Sequence, residues 1–308
     1  MTVTTGGRAL TSQGTQPLRR RKLGHGKTVA VFVAPFLVLY SLFYAVPIGY
    51  AVYQSFLSVK REGTFGPATT VFGGLTQYIA VFQASEFWMS VLRVLLFGIV
   101  QVPVMLGLAL LFALLLDSPL VRGKKFFRLA FFAPYAVPGV IAAIMWGFLY
   151  SPSLSPFSAV TREVSFLGAD LILWSIANIV TWVYIGYNML IIYSALLAIP
   201  TEIYEAAKLD GASQWAVAWQ IKIPLVTPAL ILTAVFSIIG TLQLLAEPQT
   251  LRTFSSAINS TFTPNLAVYT TASVPNYSLA AAFSVVLALA TFVLSFVFLK
   301  VTQKRAFA

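Results

Sequence analysis

The sequence predicts an all-α membrane protein with six transmembrane helices, and three observations carry that prediction. Of its 308 residues, 58% are hydrophobic and 9% are charged, whereas soluble globular chains carry about 25% charged residues. The apolar residues fall in six blocks, each near or above the roughly 20 residues needed to cross a hydrocarbon core of about 30 Å. The basic residues gather at the two ends and between alternate blocks. The blocks do not alternate apolar and polar residues, as short strands of a transmembrane barrel would.

Residues 1–27 are rich in Gly, Thr, Gln and Arg and hold few large apolar side chains, so they are expected to form a disordered basic tail. The run Arg19-Arg20-Arg21-Lys22 reads as a topology signal. Gly26-Lys27-Thr28 is not a phosphate-binding loop, because Arg21 stands where that loop needs glycine, so the chain is not expected to bind ATP. The six blocks lie at 28–55, 88–116, 127–150, 171–197, 225–246 and 279–299. The first is too long for a signal-peptide core and lacks a small-residue cleavage site. Pro35, Pro47, Pro103, Pro134 and Pro138 fall inside spans, where each removes a backbone donor and bends the helix.

Placing both termini in the cytoplasm puts 15 of the 20 basic residues on the inner side, among them Arg122, Lys124, Lys125, Arg128, Lys208 and Lys222. That satisfies the positive-inside rule and explains the formal charge of +11 without nucleic acid. The segment between the first two spans reads as turns plus a short helix around 75–83. The polar stretch after span five, 247–278, reads as a loop long enough to reach a partner outside. Residues 304–308 form a second short cytoplasmic tail.

The most informative segment is the loop 200–224 between spans four and five. Residues 202–210 favour a helix started by Pro200-Thr201 and stopped by Gly211. A second short helix starts at Ser213, a good cap, and is expected to close at Pro224. The two helices form a knob with Trp215 and Trp219 four apart on one face, small Ala212, Ala216 and Ala218 beside them, and Glu205 and Asp210 as charges for a basic partner. Such a patch is expected to be covered by a docked protein.

Glu205-Ala206-Ala207, then Gly211 after three residues, then Ile221-Lys222-Ile223-Pro224 after nine, resembles the EAA loop of binding-protein-dependent ABC importers. Ile223 replaces the usual leucine before the final proline. With the six-span length and the third-span stretch from Arg128 to Gly139, residues 28–303 resemble the maltose-type, MalF-like permeases. The resemblance implies a type I ABC importer permease that pairs with a second permease subunit. It also implies two cytoplasmic ATPase subunits, which bind the ATP and Mg, and an extracytoplasmic binding protein that delivers sugar. Glu205, Ala206, Ala207, Asp210, Gly211, Ile221 and Pro224 would form the coupling contact. Glu205 would pair with a basic residue of the ATPase, Gly211 would make the corner, and the alanines would keep the contact close.

A substrate path calls for polar and aromatic groups within the bilayer, where they are costly unless they face a cavity or one another. Span four is richest in them, with Asn178, Thr181, Trp182, Tyr184 and Asn188 placed on one side by steps of three and four residues. Thr241, Gln243 and Glu247 add polar groups in and just beyond span five, and Gln101 adds one in span two. Amides and phenols suit sugar hydroxyls, and aromatic rings suit sugar faces. The competing reading makes the tyrosines and tryptophans interfacial belts and the asparagines and threonines contacts between helices. The Ala246-Glu247-Pro248 stretch also departs from the glycine-rich segment frequent in the family.

No cysteine is present, and the one histidine, His25, lies in the tail, so no catalytic or metal-binding constellation is visible and the chain is not expected to be an enzyme. The rival readings are a permease for glycerol-3-phosphate, a polyamine or an amino acid, and an ion-coupled secondary transporter. The first would favour Arg or Lys in the cavity if the solute is a phosphate ester; the second would bury Asp or Glu in mid-span.

Overall fold

The computed structural model describes residues 2, 25–61, 68–274 and 276–306. The expected tail at 1–27 falls outside them except for residue 2 and for 25–27, which already belong to a helix, as do 304–306 at the other end.

Two units separate, at Tyr50 and Ala51. The first holds α1 (His25–Tyr40), a π-helical turn (Ser41–Ala45) and the first half of α2 (Val46–Ser55). Pro35 does not interrupt α1, and Pro47 follows the π turn, whose wider register absorbs the missing donor. Side chains such as Phe32, Phe36 and Phe43 stay exposed along this helix.

After the second half of α2, the second unit forms a hairpin where turns were expected. Its strands β1 (Leu57–Arg61) and β2 (Ala68–Phe72) pair antiparallel, Leu57 opposite Phe72. The short helix expected next is α3 (Thr76–Gln83). α4 (Ser85–Asp117) runs unbroken for 33 residues through Pro103. α8 (Ile172–Leu197) lies along it. Ala109 and Ala113 are fully buried against Met189 and Ile192. Small residues let helix backbones approach closely in lipid, where dispersion rather than water exclusion drives packing.

Between them the expected third span is broken. α5 (Lys124–Phe132), a short 3₁₀ turn (Ala133–Ala136) and α6 (Gly139–Tyr150) form a pair bent by 96°. Pro138 holds Val137 extended, with ψ 124°, because its ring crowds the preceding residue out of the helical region. α6 itself has only 12 residues, about 18 Å at 1.5 Å per residue. Among the described residues, five helices are long and apolar enough to cross a membrane, or six if the bent pair counts as one span.

One glycine sets how closely the end of α5 approaches α8. A Cβ on Gly186 of α8 would fall 1.8 Å from the Phe131 carbonyl oxygen, so the end of α5 rests directly on the α8 backbone. Phe131 also stacks on Phe112 of α4, 4.5 Å between centroids.

After α7 (Ser158–Glu163) and α8 come α9 (Thr201–Leu209), α10 (Gln214–Val217), α11 (Ile223–Leu242), α12 (Ala246–Leu251), α13 (Pro264–Ser273) and α14 (Tyr277–Ala306). The stretch expected to reach outward as a polar loop instead folds back through α12 and α13. Its hydroxyls and amides tie the turns together: Ser255 donates to the Leu167 carbonyl at 2.6 Å, Thr263 to Leu244 at 2.9 Å, and Asn265 to Gln243 at 2.9 Å. Leu251, Ile258, Phe262 and Leu266 pack into the core beside Ile176 and Ile179 of α8. Polarity there marks caps and turns rather than an extended segment.

Candidate functional site

Two places bring the sequence-predicted residues together. The first is the elbow of α9 and α10. Gly211 has φ +76°, and the helix end is closed by Ala212 N–H donating to Ala207 O at 2.9 Å and Gly211 N–H donating to Lys208 O at 3.1 Å. That is a Schellman closure, which needs a left-handed residue and so favours glycine. Ser213 Oγ then accepts from the Ala216 N–H at 3.2 Å and caps α10. Glu205, Ala206 and Asp210 are exposed, Ala207 is buried and Ile221 half-buried. Trp215 and Trp219, 72% and 54% exposed, stand 5.6 Å apart.

The second elbow helix does not close at Pro224. It passes through a π-helical stretch (Ala218–Lys222), in which the Ile223 N–H reaches the Ala218 carbonyl, and continues directly into α11. The widened turn shifts the hydrogen-bond register where Pro224 has no donor, and Pro224 sits in the first turn of α11, where none is required.

An ion pair fixes this elbow to the bundle. Lys222 Nζ meets Asp117 Oδ2 at 2.5 Å, with both side chains mostly buried, and lies 5.2 Å from the ring centroid of Tyr204 on α9. The Tyr204 phenol is pushed above its usual range, first by burial and then by the Asp117 carboxylate, and its hydroxyl finds no hydrogen-bond partner among the described residues. Sequence reading missed this cluster because its members are 105 residues apart. Replacing Asp117 by Asn or Lys222 by Met is expected to cost about 1 to 3 kcal/mol, between surface and buried ion pairs. Thermal unfolding of both single variants and the double variant checks this; strictly additive losses would mean the pair contributes nothing.

The second place is a cleft of about 420 Å³ among α4, α6, α8, α11, α12 and α13. Tyr184, Asn188, Thr241 and Gln243 line it, together with Gln101, Tyr187, Gly139, Glu247 and Asn265. Asn188 is buried and uses Nδ2 for both of its contacts, to Tyr184 O at 3.1 Å and Met105 Sδ at 3.7 Å. Gln101 donates to Thr181 Oγ1 at 3.3 Å, while its Oε1 is buried without a partner among the described residues. Tyr135 stacks on Tyr187 at 4.7 Å and meets Tyr184 edge-on.

Three predicted residues do not line the cleft. Asn178 donates to the Tyr150 hydroxyl at 2.8 Å, and Trp182 packs edge-on against Trp146 at 6.0 Å. At 100° per residue both turn well away from Asn188, so steps of three and four carried over three turns did not keep one face. Thr181 lies on Asn188's side of the helix and accepts from Gln101, which lines the cleft, but Thr181 itself does not line it.

Residues 79–306 match the family model for the binding-protein-dependent transport system inner membrane component. The chain belongs to that family. It is 30% identical to the lactose transport system permease protein LacF of Rhizobium radiobacter, over 89% of this chain and 94% of LacF. It is 32% identical to the sn-glycerol-3-phosphate transport system permease protein UgpA of Agrobacterium fabrum, over 64% of this chain and 68% of UgpA. A chain of the crystal structure of a bacterial ABC transporter involved in the import of the acidic polysaccharide alginate superimposes with a TM-score of 0.77. It is 16% identical and covers 91% of this chain and 96% of that one. The fold is therefore that of an ABC importer permease, and the inner-membrane, multi-pass character of the family applies to this chain.

Proposed function

We propose that this permease imports a neutral sugar, driven by a partner ATPase that grips the elbow at Glu205, Ala206, Ala207, Asp210 and Gly211. Both termini and the elbow then lie in the cytoplasm, a second permease completes the pathway, and a binding protein delivers the solute from outside. ATP and Mg belong to the ATPase subunits, and this chain performs no chemistry of its own.

The observation that carries the sugar reading is the lining of the cleft. Amides, hydroxyls and phenols from Gln101, Tyr184, Asn188, Thr241 and Gln243 face it, and no Lys, Arg or His is among its described lining residues. A phosphate ester is normally held by Arg or Lys, whereas neutral hydroxyls pair with amides and phenols. LacF supports the same reading over nearly the whole chain. Uptake of lactose, maltose and sn-glycerol-3-phosphate by the reconstituted complex tests it; transport of the phosphate ester alone would overturn it.

Within this reading, Asn188→Leu should raise the KM of sugar uptake roughly tenfold, the loss of one good buried hydrogen bond. Asn178→Ala should leave the KM unchanged and lower stability by about 1 kcal/mol, because it removes only the bond to Tyr150. Uptake kinetics paired with thermal unfolding separate the two effects.

A further inference from the structure

The cleft contains a carboxylate, and its described lining residues include no Lys, Arg or His. Glu247, on α12, is 6% exposed and lines the cleft. Its Oε1 lies 3.2 Å from where a Cβ on Gly139 would sit, so glycine at the start of α6 leaves the carboxylate its room. Among the described residues no basic side chain forms an ion pair with it. Arg93, the basic residue within α4, is committed elsewhere: it donates to the Phe262 carbonyl at 2.8 Å and lies over the Phe262 ring.

A buried carboxylate without a counter-charge is costly unless hydrogen-bond donors reach it. Its two oxygens can accept from two adjacent hydroxyls, and hydrogen bonds to an ionised acceptor are about twice as strong as neutral ones. Gln243 and Tyr184 line the same cleft and supply further partners for a polyhydroxyl solute. An anionic solute entering here would find Glu247 but no Lys, Arg or His among the described lining residues to receive its charge, which is unfavourable in a medium that screens charge poorly. A polyamine would need several carboxylates, and Glu247 is the one acidic residue among the cleft's described lining.

Resting on the sugar reading above, we propose that Glu247 is the specificity-determining residue of the path. It accepts hydrogen bonds from neighbouring hydroxyls of a neutral sugar and turns away phosphorylated and uronic-acid solutes. This gives the Ala246-Glu247-Pro248 stretch, where the glycine-rich segment is missing, a chemical purpose.

The test uses the complete transporter in proteoliposomes with radiolabelled lactose, sn-glycerol-3-phosphate and spermidine. Glu247→Gln should raise the KM for lactose roughly tenfold with an unchanged thermal midpoint, and Glu247→Asp, which keeps the carboxyl group, should recover part of the loss. An unchanged KM in Glu247→Gln would overturn the proposal while leaving the sugar reading intact. A fallen thermal midpoint with an unchanged KM would do the same, making Glu247 a brace for the start of α6. Wild-type uptake of sn-glycerol-3-phosphate or spermidine in place of lactose would overturn both.

Discussion

Glu205→Lys is expected to abolish ATP-driven uptake, by about 100-fold or more, while the protein still inserts and folds. Glu205 is exposed on the outer face of α9, and surface changes of this kind usually alter stability by no more than about 0.5 kcal/mol. Losing one member of a buried charge pair at an interface costs about 2 to 5 kcal/mol. In the proposed docking contact, reversal would add repulsion from a partner cation, so the ATPase should no longer hold the elbow. Co-purification of the ATPase with the permease, measured alongside uptake, reads the contact directly. Glu205→Ala should fall between wild type and the reversal. Wild-type uptake by the lysine variant would remove Glu205 from the docking contact.

Gly186→Ala is expected to do the opposite: it should damage the fold without touching the elbow. The new methyl group would fall 1.8 Å from the Phe131 carbonyl oxygen and 2.4 Å from its carbon, and both are main-chain atoms that cannot rotate away. Overpacking a flexible core costs about 1 to 3 kcal/mol. A clash between two backbones should reach or exceed the top of that range. Displacing α5 also carries Tyr135 away from Tyr187, so surviving protein should show weakened sugar uptake. Gly107→Ala in α4 is the control, because nothing lies within 4 Å of its added Cβ. It should leave stability unchanged or raise it by about 0.5 to 1 kcal/mol, since Ala favours helix over Gly. Equal thermal midpoints for Gly186→Ala and wild type would mean that α5 does not rest on α8 in this way.

The helical architecture was readable because bilayer thickness sets a length that composition alone reveals. The elbow was readable because its parts are local: Gly211 supplies the left-handed turn and Ser213 the cap, each acting within a few residues. Where the reading depended on distance or on extended periodicity, it failed. Asp117, Lys222 and Tyr204 are brought together by the tertiary fold. Asn178 and Trp182 were given to the cleft by steps that lose angular register over several turns. Pro134 and Pro138 were read as kinks, although with Gly139 they end one helix and begin another. Pro224 was read as a stop, although a π turn carries the chain through it. The polar residues of 247–278 looked like a loop because caps and turns use the same side chains.

The unbroken passage from α10 through the π turn into α11 has a mechanical consequence. Ser213 caps one end of this rod, and Thr241 and Gln243 lie at the other, on the cleft wall. The 20 residues of α11 span about 30 Å, so a tilt of about 10° at the base would sweep the far end by roughly 5 Å, about one helical turn. A small tilt at the elbow thus becomes a displacement of several ångströms at the cleft wall.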